Sequence, residues 1–247
     1  DGGVAARIRR EPLSRDRLLT AAVAIADAEG VGAVTMRRVS AAVGVEAMSL
    51  YHHLPGKEAL LDGLVETVVV EVVEEIRNAE ESAGGLDWQG TLRRRFLTAR
   101  TVMLRHPWAP VLIGSRTSIP PSVYGIYETL LATMIEAGFS YHLAHRALHS
   151  FGSMPLGFAQ ELFNPAANGG DDAMAEAELA QMAELVPHLT AMAAAEIHDN
   201  AGDVLGWCDS QAEFEFTLDL LLDGFARHLA AAGGRVEALA PASAGGT

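Results

Sequence analysis

The sequence predicts an all-α protein in which a small N-terminal head of three helices precedes a larger helical domain. Apolar residues make up 49% of the 247 residues. They recur mostly at helical spacing, whereas strand signals are few. Glycine and proline divide the chain at helix-length intervals. We expect a flexible basic arm at 1–13, the head at 14–57, the larger domain at 58–232 and a flexible tail at 233–247.

The head begins with two helices whose ends carry capping residues. Ser14 can cap a helix that runs to Glu29, because its hydroxyl can accept from N–H groups of the first turn. Gly30 then ends that helix. Thr35 can cap a second helix in the same way, and Gly44 supplies the backbone freedom that a sharp turn needs.

A third helix follows the turn and closes at Leu54-Pro55-Gly56, which cannot continue it. Val45 and Leu50 face inward on this helix. Two short helices joined at a glycine are typical of a helix-turn-helix, whose second helix enters the major groove of DNA. The outward residues of this predicted reading helix are Ala47, Met48, Ser49, Tyr51, His52 and His53.

The larger domain divides into helices at its glycine and proline residues. Lys57 opens a long helix that continues to about Glu81, with apolar residues at helical spacing. The later helices are predicted at 87–105, 108–114, 121–137, 141–163, 172–198 with a bend at Pro187, and 211–231, and a loop is predicted at 164–170.

Residues 14–66 closely resemble the TetR family of bacterial repressors. The resemblance rests on the glycine-ended first helix, the stretch from Thr35 to Gly44, Ser49-Leu50-Tyr51 with His53, and Lys57-Glu58-Ala59-Leu60-Leu61. It implies a DNA-binding regulator, not an enzyme, that binds a palindromic operator as a homodimer and is released by a small-molecule effector. Repression rather than activation is also an expectation from the family.

This resemblance makes ten head residues candidates for contact with DNA. Arg37 suits guanine, because a guanidinium matches O6 and N7. Ala47 and Met48 can pack on thymine methyl groups, and His52 reads a base or contacts the backbone. Phosphate contacts that fix register without reading sequence are expected from Tyr51, His53 and Lys57. The full set is Thr35, Met36, Arg37, Ala47, Met48, Ser49, Tyr51, His52, His53 and Lys57.

The net charge of −14 is unevenly distributed along the chain. Residues 1–60 carry eight Lys/Arg and seven Asp/Glu, whereas residues 61–247 carry ten and 25. A near-neutral head and an acidic body that faces away from phosphate are compatible with DNA binding. The basic residues Arg7, Arg9 and Arg10 form either a flexible arm for the DNA backbone or minor groove, or a disordered solubilising tail.

The body resembles the regulatory domain of the tetracycline repressor. The landmarks are Trp88-Gln89, His106, Gly114-Ser115-Arg116 and Ala137-Gly138-Phe139-Ser140. The position at which that domain uses a histidine to bind a magnesium–drug chelate falls near Leu112 here. We therefore expect a planar or hydrophobic effector other than a magnesium–tetracycline chelate.

Large apolar and aromatic residues of the body form either an effector pocket or an ordinary helical core. The candidate lining residues are Met103, His106, Trp108, Tyr124, Tyr127, Met134, Phe151, Met154 and Phe158, with Met182 and His188. An effector is expected to shift the equilibrium between body shapes and so change the spacing of the two heads. The hinge candidates are the segments 108–114 and 58–81.

Two helices carry the candidate dimer elements. Segment 141–163 presents His142, His145 and His149 along one side, and segment 211–231 carries a broad apolar stripe. The resemblance implies that these two helices pair with the same helices of a second copy across a two-fold axis. The alternative is that the apolar stripe packs in the core of its own chain. Stacked interface histidines are favoured over a metal site, so no metal and no cofactor is expected.

Other classes of protein are less favoured. The sequence lacks GxSxG, HExxH and phosphate-loop motifs. It also lacks a membrane-spanning apolar run and an N-terminal signal peptide. The lone Cys208 excludes an intrachain disulfide and suits the cytoplasm. The alternative function is a helical small-molecule-binding protein or a protein-interaction adaptor whose helix-turn-helix no longer binds DNA.

Overall fold

In the computed structural model, every regular element of the described residues is a helix. The described residues are 12–82, 84–117, 120–158, 185–188, 190–191 and 210–239. The predicted all-α class is therefore confirmed. In chain order the helices include α1 (Arg15–Glu29), α2 (Met36–Val43), α3 (Ala47–Leu50), α4 (Lys57–Glu81), α5 (Trp88–Arg105), α6 (Ala109–Ser115), α7 (Pro121–Glu136), α8 (Tyr141–Gly152), α9 (Met154–Gly157) and α10 (Ser210–Leu239), with a 3-10 turn at Val31–Ala33.

Side-chain caps start the head helices at the predicted positions. The Ser14 hydroxyl accepts from the Arg17 N–H at 3.2 Å, and the Thr35 hydroxyl accepts from the Arg38 N–H at 3.2 Å. Gly44 follows α2 with a left-handed φ of 73°, which residues with a Cβ rarely adopt. The two helices of the helix-turn-helix and the turn between them are therefore present.

The head has a closed apolar core to which α4 contributes. Leu18 of α1, Leu50 of α3 and Leu60 of α4 are fully buried together. The contact between α1 and α4 is close, because a Cβ atom at Gly63 would lie 2.5 Å from a methyl group of Leu19. Helix α4 is thus part of the head as well as the first helix of the body.

The buried core falls into two clusters. The first runs from the head along α4 to Met103, Trp108 and Leu112 near the junction of α5 and α6. The second is built from α5, α7, α8 and α10, where the rings of Phe96 and Phe151 stack with centroids 5.2 Å apart. Because α5 contributes to both clusters, it connects the head side of the protein with the outer body.

The helix predicted at 141–163 is divided in the structure. Helix α8 ends at Gly152, and the separate turn α9 spans Met154–Gly157. Pro155 is the physical reason, because proline has no N–H to donate and its ring clashes with the carbonyl four residues earlier. The prediction of one continuous helix was therefore wrong.

Two other helices differ in length from the prediction. The reading helix α3 is a single turn that ends at Leu50, and 51–53 continue as turns. Helix α10 continues through Gly233 and Gly234 to Leu239, although the sequence predicts an end before these glycines. Glycine costs a helix about 1 kcal/mol relative to alanine, which weakens the helix without ending it.

No helix among the described residues is long and apolar enough to cross a membrane. The predicted basic arm, the loop at 164–170, most of the predicted helix at 172–198, Met182 and Cys208 lie outside the described residues.

Candidate nucleic-acid interface and its connection to the body

The ten DNA-contact candidates lie on α2, on α3, on the turns after it and at the start of α4. Met48 is 71% exposed and Tyr51 is 47% exposed, so both large side chains are available to another molecule. Also exposed are Thr35, Arg37, His52 and Lys57, and partly buried are Met36, Ala47, Ser49 and His53. None of the ten is fully buried, whereas their neighbour Leu50 packs in the core as predicted.

The structure separates the paired basic residues of the head from the unpaired ones. Arg38 pairs with Glu29, and Arg15 pairs with an acid on α4 at 2.7 Å. Within the described residues, Arg37 and Lys57 have no ion-pair partner. In the described part of the head, the basic residues without an ion-pair partner that belong to the predicted DNA-contact set are therefore Arg37 and Lys57.

The two-helix unit is fixed to α1 by a residue that the sequence analysis did not single out. Arg17 donates from Nη2 to the carbonyl of Val43, the last residue of α2, at 3.2 Å. The Val45 N–H donates to the carbonyl of Ser40 at 3.0 Å and closes the turn around Gly44. These contacts set the orientation of α3 relative to the rest of the head.

A buried histidine joins the head to the body. His106, directly after α5, has Nδ1 2.8 Å from Asp27 of α1 and Nε2 3.0 Å from Glu71 of α4. Trp108 Nε1 donates to the same carboxyl oxygen of Asp27 at 2.7 Å. A neutral imidazole donates from one ring nitrogen only, whereas an imidazolium donates to both carboxylates. The junction thus links α1, α4 and the end of α5.

The short helix α6 is attached to the head side at both of its flanks. His106 and Trp108 precede it, and Arg116 follows it. Arg116 Nη2 lies 2.8 Å from Glu58 and 2.7 Å from Asp62, both in the first turns of α4. The hydrogen bond to Glu58, with a further one to Asp62, raises the pKa of the Arg116 guanidinium above its ordinary value. A displacement of α6 therefore acts directly on the start of α4, next to a candidate phosphate contact.

The predicted pocket residues fall into three environments. Buried at the head–body junction are Met103, His106 and Trp108. Buried in the second cluster, or packed against it, are Met134, Phe151, Met154 and Phe158. Exposed are Tyr124, Tyr127 and His188. The candidates therefore do not line one common cavity in the described part of the chain.

One small cavity brings three of the candidates together. It has a volume of about 10 Å³. Its lining residues are Tyr127, Met134 and Phe151, with Leu92, Phe96, Leu130, Leu148 and Gly152. This is room for about one water molecule, whereas sites for drug-sized ligands measure roughly 300–1,000 Å³. An effector of that size needs a wider opening than these residues leave.

A buried arginine in α5 was missed by the sequence analysis. Arg100 is 1% exposed and donates from Nη1 to the Phe158 carbonyl at 2.7 Å and from Nε to Gln211 at 3.0 Å. Its guanidinium lies 4.9 Å from the ring centroid of Phe214. Its burial could have been predicted from the sequence, because Arg100 follows Phe96 by four residues and so lies on the stripe of α5 that faces the core. Arg100 fixes α5 against α10 and the chain after α9.

Two known domains match the chain in sequence. The domain described as "Bacterial regulatory proteins, tetR family" matches residues 18–64, which contain α2 and α3. The domain described as "Tetracyclin repressor-like, C-terminal domain" matches residues 81–229.

Individual relatives agree with these domains. The HTH-type transcriptional repressor DrrR1 of Streptomyces coeruleorubidus is 35% identical over 130 residues, covering 52% of this chain and 46% of DrrR1. The tetracycline repressor protein class D of Escherichia coli is 31% identical over 150 residues, covering 60% of this chain and 66% of that protein. The matches therefore span about half to two thirds of the length of these relatives.

A solved structure extends the similarity to most of the chain. The crystal structure of a possible TetR family transcriptional regulator from Streptomyces coelicolor A3(2) has a TM-score of 0.68 at 29% identity. It covers 87% of this chain and 99% of the other. The helix order, the exposed two-helix unit and both domain matches agree on a DNA-binding regulator. This chain belongs to the TetR family of bacterial transcriptional regulators.

Proposed function

We propose that this protein represses transcription by binding a palindromic operator as a homodimer, and that a small hydrophobic or aromatic effector releases it. The observation that carries the proposal is the exposed surface of α2 and α3. There, Met48 protrudes into solvent, and Arg37 has no ion-pair partner among the described residues, whereas its neighbour Arg38 is paired with Glu29.

The roles of the DNA-facing residues follow from their exposure and chemistry. Arg37 reads guanine through its guanidinium, and Met48 packs on a thymine methyl group. Tyr51, His53 and Lys57 hold phosphates and fix the register. The Thr35 hydroxyl already accepts from the first turn of α2, so its hydrogen remains available to a phosphate oxygen.

Dimerisation is supported by the outer surface of α10, although Phe214, Leu218 and Leu222 of its predicted apolar stripe pack inside this chain. Phe216 is 62% exposed and Leu220 is 54% exposed, one helical turn apart on α10. Large apolar side chains in such positions are typical of an interface between copies. A two-fold axis through this region presents two copies of α3 to successive major grooves, about 34–36 Å apart, as a palindrome requires.

The coupling between effector and DNA is supported by the attachment of α6 at both flanks. An effector that widens the second cluster moves α5 and α6, and the contacts of His106 and Arg116 carry this movement to α1 and α4. Release follows if the effector binds the moved shape better, because a ligand shifts an equilibrium only by its difference in affinity. Leu112, buried on α6, offers no ligand for magnesium, which favours an effector other than a magnesium chelate.

The experiment is a pull-down of genomic DNA fragments with the purified protein, followed by measurement of affinity for the enriched sequence at several salt concentrations. We expect one enriched palindrome and an affinity that falls steeply with salt. Met48→Glu should abolish the enrichment, because it adds negative charge where DNA lies. Leu185→Glu is the matched control, since Leu185 is an apolar residue of the body that is also largely exposed.

Two results contradict the proposal. Enrichment that is unchanged in Met48→Glu shows that α3 does not face DNA. An absence of any enriched fragment, with the protein folded and dimeric, favours the adaptor or small-molecule-binding alternative.

A further inference from the structure

The described residues contain an open groove between α8 and α10 that is rich in histidine. Its volume is about 570 Å³. Four of the nine histidines of the chain line it: His142, His145 and His149 from α8, and His228 from α10. Neither the DNA-facing surface nor the head–body junction uses these side chains.

Two of these imidazoles converge on each other. Nε2 of His145 and Nε2 of His149 are 3.1 Å apart, and the ring planes meet at 85°. Their spacing of four residues places both rings on one helical face, one turn apart. Two nitrogen ligands of a tetrahedral Zn²⁺ lie about 3.3 Å apart when each Zn–N bond is about 2.0–2.1 Å. The two rings share a hydrogen bond at this separation, which is also close to that of two ligands on one ion.

Of the three histidines along one side of α8, the structure brings His145 and His149 into contact. Among the described residues, no group of three or more His, Cys, Asp or Glu side chains is arranged to hold one ion. Closed zinc sites use four protein ligands. The described residues thus supply two ligands of such a site, and a second copy of the chain can supply the other two.

We propose that His145 and His149 chelate a divalent transition-metal ion of the zinc type, and that the same pair of a second copy completes its four ligands. Imidazole nitrogen suits Zn²⁺, Co²⁺, Ni²⁺ and Cu²⁺. A two-fold axis beside α8 repeats each side chain once, so two ligands become four. The shared part of the site rests on the proposed homodimer, whereas chelation by one pair does not.

Arg146 is the one described charged residue of the groove that opposes a bound cation. Its side chain is exposed, so water and salt screen its charge. Both chelating imidazoles are exposed as well, and a metal ion can reach them without unfolding α8. The bound ion fixes the α8 helices of two copies to each other.

The test is a titration of Co²⁺ into the complete chain after removal of metals with EDTA. Light scattering in EDTA first measures the oligomeric state. We expect the intense visible absorption of four-coordinate Co²⁺, saturating at one ion per two chains. His145→Ala and His149→Ala should each abolish this absorption. His142→Ala, a neighbouring exposed histidine of the same groove, should retain it, with circular dichroism confirming that all three variants are folded.

The outcomes separate the metal site from the homodimer. A dimer whose Co²⁺ spectrum equals that of the His145→Ala variant overturns the metal site and leaves the homodimer intact. Saturation at one ion per chain, with the weak absorption of six-coordinate Co²⁺, overturns the shared site. A chain that is monomeric both in EDTA and with Co²⁺ overturns the homodimer together with the shared site. Loss of absorption in His142→Ala alone overturns the choice of ligands.

Discussion

The head and the body use their charged side chains differently. In the body, arginines cross between helices to acids: Arg95 lies 2.6 Å from Glu80, and Arg93 bonds to Glu215 and Asp219. In the head, Arg37 and Lys57 stay unpaired within the described residues. Among the described residues, the head thus keeps two unpaired cations on the predicted DNA-facing surface beside its paired Arg15 and Arg38.

The two regions also differ in how their cores are connected. The head core continues without a break along α4 to the start of α6, whereas the second cluster is a separate apolar unit of the body. A change in the second cluster therefore reaches the head through few elements. These are α5, which has buried residues in both clusters, α7, whose Ile126 packs against both, and α9, which has Met154 in the second cluster and Leu156 against the first.

The largest expected effect tests the independence of the body core. Phe214→Ala removes a fully buried ring of α10 and should lower the free energy of unfolding by about 3–5 kcal/mol. Denaturant unfolding measures the loss. Glu213→Ala, an exposed neighbour on the same helix, should change stability by about 0.5 kcal/mol or less. A similar loss in both variants contradicts the separate body core.

The next prediction concerns the junction between the regions. His106→Ala leaves the carboxylates of Asp27 and Glu71 facing a gap, and it should cost about 1–3 kcal/mol of stability. It should also weaken the effector's ability to release the operator, because the attachment of α6 before Trp108 loses its contacts to Asp27 and Glu71 and keeps only the Trp108–Asp27 hydrogen bond. Thermal unfolding and operator titrations measure the two effects. An unchanged effector response means that the junction carries no signal.

The third prediction compares two exposed residues of the head. Arg37→Ala should relax base preference at one operator position by about 1–3 kcal/mol, because arginine reads guanine in a bidentate manner. Tyr51→Ala should weaken all sequences alike, since a phosphate contact carries no base information. Competition between operator variants measures both. Arg38→Ala is the control, because Arg38 is paired with Glu29. Equal effects at positions 37 and 38 contradict the assignment.

A smaller effect is expected from a cap of the head. Thr35→Ala removes the hydroxyl that accepts from the Arg38 N–H, and it should cost about 1 kcal/mol. Thr35→Ser keeps the hydroxyl and should retain most of the stability. Calorimetric unfolding of the two variants measures the difference. If Thr35→Ser is as unstable as Thr35→Ala, the cap is not the cause.

The smallest effect tests the ion pairs of the body. Hydrogen bonds from Gln211 and then Arg93 lower the pKa of the Glu215 carboxyl below its ordinary value. A lowered carboxyl pKa stabilises the fold at neutral pH, and this stabilisation is lost as the pH falls below about 4.5. Glu215→Gln should remove about 0.2–1 kcal/mol at neutral pH and less in acid, because the side chain is 36% exposed. Urea unfolding at neutral and at acidic pH measures the stability that Glu215→Gln loses. A loss that is the same at both pH values contradicts the role of the lowered Glu215 pKa.

The local features of the head were predictable from the sequence because they depend on neighbouring residues. Ser14 and Thr35 cap their helices, and Gly44 adopts the left-handed turn, as their residue types indicate. The break before α9 also has a local cause in Pro155, which the prediction of one helix at 141–163 overlooked. The length of α10 did not follow from its glycines, because a glycine weakens a helix by about 1 kcal/mol without ending it.

The sequence by itself determined the all-helical class, the helix-turn-helix and the family, since these reside in periodicity, caps and a contiguous motif. Only the tertiary structure decided which charges are paired, where His106 bonds, that Arg100 is buried and that His145 and His149 converge. These facts join residues far apart along the chain, such as Asp27 and His106. Contacts of that kind depend on how helices pack, and helical periodicity indicates only which face of each helix is turned inward.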